Sequence, residues 1–454
     1  MRKVLLILIL VVAVLQEATA QNTIRVLDSI LYFDGYATTV TTPAPPAGVI
    51  RHRNDLYARK LTTAELQSIG YKMHMKVTVK AACDNYDRIG NVNMALVPKG
   101  ATTYNPDSVK RIELGRYITP FMNKNYQPTS VPYDFDIENV SLLLKETSII
   151  ANYDIWIELE LFGVPYAANT QVAGCAGRND VFYGSVEFTT TSTPIAAQSN
   201  NVLIPLNFKK NLNNYQADAT DTIGKTTRTI KFNVPNNLTD ASLFLITSNH
   251  GANSGGEEYN RRNHYVYFDN ALKLTYKPGR ISCEPFRQYN TQGNGIYGNS
   301  PRTDAQWQSF SNWCPGDVIT TRRIDLGAVS AGNHSFTITV PDAVFANGEG
   351  YFPVSLYLQG KTSGTLGTTE IISAVNGLKI YPNPAGSEVI VDMKQGSRME
   401  EITLLNTLGA VVYQNDRPGS NHETIQLQQL PAGLYLLQVR TSDGTSVQKL
   451  QVAH

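Results

Sequence analysis

From Lys72 to Lys80 polar and apolar side chains alternate without a break. Met73, Met75, Val77 and Val79 stand between Lys72, His74, Lys76, Thr78 and Lys80. A repeat of two is that of a strand with one buried face. Similar runs occur around Ile230–Val234, Ser242–Thr247, Tyr265–Phe268 and Phe336–Val340. No long segment with a 3.6-residue repeat competes with them; only Asn139–Lys145 predicts a helical turn or two. Breaks between the strands come at Thr41–Pro46, a stiff loop, at Thr189–Pro194, a link, and at Lys361–Thr365, a flexible link. The pattern predicts an all-β chain: two adjacent antiparallel jelly-roll-like β-sandwiches over residues 21–193 and 194–362, then a small C-terminal β-sandwich over 376–454.

The two ends of the chain differ from the middle. Arg2 and Lys3 precede the apolar run Val4–Leu15, and Ala18-Thr19-Ala20 forms a small-residue cleavage site. Residues 1–20 read as a signal peptide, with the mature chain beginning near Gln21. The apolar run has 12 residues, short of the roughly 20 that span a bilayer. At the other end stand Tyr381-Pro382-Asn383-Pro384, Leu405-Asn406-Thr407-Leu408-Gly409 and Pro431-Ala432-Gly433-Leu434-Tyr435. These elements, in this order, resemble the C-terminal sorting domain of type IX secretion systems. The resemblance implies type IX secretion machinery as a partner, and passage across the outer membrane to a secreted or surface location.

Composition narrows the middle further. Lys and Arg number 39 against 38 Asp and Glu, so no nucleic-acid or acidic-membrane partner is expected. Tyr (24) and Gly (33) are abundant and charged residues only 17%, the texture of strands and turns. Of the four cysteines, Cys283 and Cys314 share one polar, loop-rich stretch and are the expected disulfide. Cys83 and Cys175 are either a second bridge or buried thiols. None forms a CxxC, and none is spaced from a histidine as a zinc ligand would be. Seven scattered histidines without an HxH pair argue against copper. No metal and no cofactor are expected.

Three polar loops are candidates for chemistry: Cys83-Asp84-Asn85-Tyr86-Asp87-Arg88, the stretch Gly255–His264, and the aromatic-polar stretch Trp307–Trp313. An acid beside an arginine at a strand end can be a base with a charge partner, and tryptophans suit sugar faces as well as cores. In order along the chain, CDNYDR (83–88), LGRYITPF (114–121), and NWCPG (312–316) with TRRID (321–325) resemble the CDEWDR, IGRFITPY, GWCPG and TRID elements of the peptide-N-glycosidase F family. The family's activity is amide hydrolysis between an N-linked glycan and asparagine. The resemblance implies Asp87, Glu258 and Asp154 as catalytic carboxylates, Glu257 being the alternative to Glu258. It implies Arg88, Trp156, Tyr259 and Trp313 as substrate-binding residues, and a groove between the two sandwiches as the site. N-glycosylated proteins or peptides are the implied partners, and a monomer the implied state. Three features depart from the family pattern. Gly256 and Asn260 stand where two loop cysteines are expected, which should loosen that loop. Cys83 lacks a local disulfide partner. Phe310 replaces an arginine, which should alter sugar recognition or weaken activity. A glycoside hydrolase and a non-catalytic glycan-binding protein are the rival readings.

Overall fold

The computed structural model describes residues 21–251, 256–362, 378–393, 398–406, 410–416, 418, 421–441 and 444–453. The signal peptide, part of the link at Lys361–Thr365, Gly255, and Thr407–Gly409 of the LNTLG element lie outside the described residues. The chain divides into two compact units, with the boundary between Thr369 and Glu370.

The first unit is built from four antiparallel sheets. Strands Gln21–Phe33, Asp180–Thr191, His74–Ala81 and Ser130–Asp136 form one, in that order. The alternation at Lys72–Lys80 appears as predicted: Met75, Val77 and Val79 are fully buried, while Lys76 and Lys80 are exposed. A second sheet orders strands Val318–Ile319, Lys110–Ile118, Ile89–Pro98, Tyr153–Leu161, Leu56–Lys60 and Val49–Arg53. The other two sheets are Asn201–Leu212, Phe352–Thr362, Leu238–Thr247, Arg322–Val329 and Thr227–Val234, Gly332–Thr339, His264–Phe268, Ala271–Tyr276. Between them lies one apolar core that includes Leu243, Leu245, Phe336, Ile338, Phe352 and Leu358. Strand Asp180–Thr191 takes in the first half of the expected link. Thr190 stays in register because its hydroxyl donates to Gly70 O at 2.7 Å. The helical turns expected at Asn139–Lys145 form as Glu138–Leu143.

The two sandwiches share secondary structure. Val318 and Ile319, which follow NWCPG, pair with Tyr117 and Arg116 on the edge of the first sandwich's sheet. Nearby, Gln292 N donates to Phe121 O and Gly316 N to Ile118 O, both at 2.9 Å. Arg116 is buried and bonds to Glu113 through Nε (2.8 Å) and Nη2 (2.7 Å). Its Nη1 crosses the seam to Ser248 Oγ and Pro353 O, both at 2.8 Å. Glu113 also accepts from Ser355 Oγ on the second sandwich. LGRYITPF and NWCPG are thus the two sides of the seam.

Both disulfides are present, Cys83–Cys175 and Cys283–Cys314. They close loops of 92 and 31 residues. By chain entropy each stabilises by roughly 3–5 kcal/mol.

The second unit is a small sandwich of its own. One sheet holds Lys379–Tyr381, Glu388–Asp392 and His422–Gln426; the other holds Val411–Asn415, Met399–Asn406, Gly433–Thr441 and Gly444–Val452. Val389, Val391, Ile402, Leu404, Leu437 and Val439 fill it. Among the described residues no helix is long and apolar enough to cross a membrane.

Candidate active site

The loop after strand His74–Ala81 is held at every residue but one. Asp84 is buried and accepts from Tyr86 N (2.9 Å), Val164 N (2.7 Å) and Arg88 Nε (2.7 Å). Thr119, from LGRYITPF, accepts from Arg88 N at 2.7 Å through its hydroxyl and donates the same hydroxyl to Tyr86 O at 3.0 Å. Both neighbours of Asp87 are therefore clamped, and Asp87 lies between them on the wall of a groove of about 690 Å³. Burial pushes its carboxyl up to about 7, with help from the charge of Glu258. Arg88 opposes that shift, but its guanidinium is already bonded to Asp84 through two nitrogens.

Glu258 reaches the same groove from the second sandwich. Its Oε2 accepts from Gly251 N at 2.9 Å. Gly251 has φ +116, and a Cβ there would lie 2.5 Å from Gly350 Cα; only glycine can aim this N–H at the carboxylate. Burial raises the Glu258 carboxyl, while the Gly251 N–H and the Tyr259 hydroxyl pull it back. The alternative, Glu257, is excluded from the groove. It is fully buried and accepts from Arg262 Nε (2.9 Å), Arg262 Nη2 (3.1 Å) and Val344 N (2.7 Å).

NWCPG holds the Glu258 loop at both ends. Asn312 Nδ2 donates to Glu257 O at 3.1 Å and also reaches Glu258 O. Trp313 Nε1 donates to Asn249 O at 2.8 Å, and its ring packs with Ile118, Ile246 and Ile319, of which Ile118 also lines the groove. Where the two cysteines are missing, Asn260 Nδ2 donates to Gly256 O at 3.0 Å, joining the same two positions by a hydrogen bond. Phe310 lines the groove beside Tyr259, with ring centroids 6.0 Å apart.

The groove thus gathers Asp87, Arg88, Glu258, Tyr259 and Trp313. Asp154 and Trp156 are not brought to it. Asp154 pairs with Val97, while Asp87 precedes the other end of the strand that Val97 belongs to. Nine residues separate Asp87 from Val97, and the seven steps of strand from Gly90 to Val97 alone span roughly 23 Å. Asp154 is bonded to Lys60 Nζ (3.2 Å), Lys99 Nζ (3.1 Å) and Gly100 N (3.0 Å). Trp156 is buried against Ala58, Ala95 and Val97.

Sequence reasoning missed His250, which also lines the groove. Its Nε2 lies 2.7 Å from Ser248 Oγ, the hydroxyl that accepts from Arg116. Burial, then the charge of Arg116, lowers it to about 3, so it is neutral at ordinary pH. The available signal was its place just after the strand Ser242–Thr247.

Family profiles match three stretches of the chain. Residues 23–176 match the N-terminal domain of peptide-N-glycosidase F and residues 218–359 its C-terminal domain. Residues 379–453 match a secretion system C-terminal sorting domain, which directs export to the cell surface or beyond. No curated protein matches the sequence significantly. Among solved structures, PNGF-II in two crystal forms is similar at 20% identity, with TM-scores of 0.53 and 0.54. The match covers 76–77% of this chain and 66% of that one, slightly under two thirds of its length. PNGase F, a glycosylasparaginase from Flavobacterium meningosepticum, is similar at 16% identity and TM-score 0.47 over 77% of this chain and 98% of that one. At such identities the PNGF-II likeness speaks for the shared β-sandwich fold.

Proposed function

Because the chain carries both domains of the peptide-N-glycosidase F family followed by a secretion sorting domain, we propose that it is an exported amidase cleaving the bond between N-linked glycans and asparagine. The observation that carries this reading is the pairing of Asp87 and Glu258, one from each sandwich, across a single groove, with the Asp87 carboxyl near 7. An amide is hydrolysed when a water loses its proton as it attacks and the resulting oxyanion is stabilised. A base is most effective when its pKa lies near the working pH, which an exposed aspartate near 4 does not meet. In this reading Asp87 takes the proton from the water. Glu258, fixed by Gly251 N–H, positions the sugar or a second water. Arg88 and Tyr259 stand where the amide oxygen develops charge, and Trp313 supplies an apolar floor for a sugar face. The peptide product carries aspartate, and the released glycosylamine then loses ammonia to leave the free glycan.

Asp154 and Trp156 have no part in this proposal, since they lie away from the groove. The test is to incubate the protein with a denatured N-glycoprotein and weigh the former glycosylation site. Conversion of asparagine to aspartate is expected. A site that keeps one N-acetylglucosamine would indicate a glycoside hydrolase, and an unchanged glycoprotein that stays bound would indicate a lectin-like protein.

A further inference from the structure

The groove holds a cation that the proposed chemistry does not use. Arg302 lines it just before the helix Asp304–Phe310. Its side chain is fixed on three sides. Nε donates to Ile296 O at 2.9 Å and Nη2 to Gly295 O at 3.4 Å. The guanidinium carbon lies 5.6 Å from the ring centroid of Trp307 and 5.3 Å from that of Phe310.

Four other arginines around the site are bonded to acids, Arg88 to Asp84, Arg262 to Glu257, Arg280 to Asp317 and Arg287 to Glu284; Arg261, which does not line the groove, donates to the carbonyls of Pro278 and Gln308. Glu284 does accept from the Arg302 backbone N–H at 2.7 Å, but its carboxylate is taken up by Arg287 and by Trp307 Nε1. Among the described residues the Arg302 guanidinium has no carboxylate partner, and its Nη1 has no hydrogen-bond partner.

A guanidinium stacked on rings and tied to a loop has already lost its rotamer freedom, so binding a ligand costs little further ordering. Its remaining N–H groups point outward in the plane and suit oxygen acceptors. Two carboxylates, Asp87 and Glu258, occupy the same groove and disfavour an anionic ligand there. Neutral acceptors remain, such as hydroxyl and acetamido oxygens. We propose that Arg302 is a substrate-binding residue whose open edge donates to the acetamido carbonyl or hydroxyl oxygens of the core N-acetylglucosamine pair, with Phe310 and Tyr259 as the neighbouring rings. Phe310 then does not remove a guanidinium from the groove; it seats one. The identity of the sugar rests on the amidase reading, whereas the role of Arg302 in binding does not.

The test is calorimetric titration of N,N′-diacetylchitobiose into the full chain, comparing wild type with Arg302→Ala, Arg302→Met and Arg302→Lys. Lost charged hydrogen bonds predict that Ala and Met each weaken binding by about tenfold to a hundredfold. Lys, which keeps the charge but not the planar fork, falls between. With a glycopeptide substrate, KM rises for Met while kcat stays within about threefold, the mark of an interaction made equally in ground and transition states. Met preserves the length of the stacked side chain should Ala fail to fold. Disaccharide affinity within twofold of wild type in the Met variant would overturn the proposal. So would a wild type that does not bind the disaccharide, tighter binding of an acidic sugar, or a fall in kcat together with the thermal midpoint at unchanged affinity. A wild type that binds the disaccharide but leaves glycosylated asparagine intact would sink the amidase reading alone.

Discussion

Glu113 and Arg116 are buried at the seam, and every nitrogen of the Arg116 guanidinium has a partner: two contacts to Glu113, one to Ser248 and one to Pro353 O. Where the seam opens into the groove, Asp87 and Glu258 lie on the same walls, and among the described residues no cation is bonded to either. The cation nearest Asp87 in sequence, Arg88, is bonded to Asp84 instead. The seam thus has its charges compensated and the groove does not. Compensation fixes how the halves dock; burial, with the Glu258 charge beside it, raises the Asp87 carboxyl into the range where it can take a proton from water.

Asp87→Asn should lower activity by about a thousandfold or more, the size of a lost general base plus its positioning, measured as aspartate formed per site. In the wild type kcat/KM should rise with pH through about 7. The stability effect has the opposite sign. A carboxyl whose folded-state value stands near 7, against 3.8 ordinarily, costs the folded protein stability as pH climbs from about 4 to 7. Asp87→Asn removes that cost. Its thermal midpoint should match wild type at pH 4, exceed it at pH 8, and show the gap opening between those values.

Next in size is the seam. Glu113→Gln leaves Arg116 as a buried, unbalanced charge and should cost about 3–5 kcal/mol, read as a lower denaturation midpoint of the first unit. Removing a compensated charge harms the fold, whereas removing the uncompensated Asp87 does not.

Glu258→Gln should lower activity by roughly tenfold to a hundredfold. It should also shift the acidic limb of the pH profile below 7, because the charge of Glu258 is the second cause of the raised Asp87 carboxyl. An unmoved limb would uncouple the two residues.

The smallest effect is expected at Asp154. Asp154→Asn should leave activity within twofold and cost at most about 1 kcal/mol, since it loses only bonds to Lys60, Lys99 and Gly100.

Much of the fold was legible in the chain because strand alternation is local: the Met73–Val79 pattern and the turn at Asn139 both appear where the pattern placed them. The motifs were legible too, although most of their residues serve the seam. Thr119 clamps Tyr86 and Arg88, Arg116 binds across to Ser248, and Asn312 and Trp313 hold the Glu258 loop. Asp154 was misplaced because a motif gives no information on which end of a strand faces the groove. The choice between Glu257 and Glu258 depended on Arg262 and Val344, partners 5 and 87 residues away from Glu257. His250 offered only its place after a strand, the Arg116 charge that lowers it coming from the other sandwich, and Arg302 matched no motif although Ile296, Trp307 and Phe310, which hold it, lie within eight residues. Gly256 and Asn260 show a different limit: a missing covalent link was visible, and the hydrogen bond standing in its place was not.

The pairing of Val318–Ile319 with Tyr117–Arg116 has a consequence for how this protein is made and inherited. The outermost strand of the first sandwich's sheet is encoded about 200 residues after the edge it covers (319 − 116 = 203). Until the ribosome has passed that point, the Arg116–Tyr117 end of the strand Lys110–Ile118 presents open N–H and C=O groups, the kind of edge that recruits stray strands. A gene cut between the halves should therefore yield fragments prone to aggregate rather than two working modules. Recombination that exchanged one half alone would carry the same penalty.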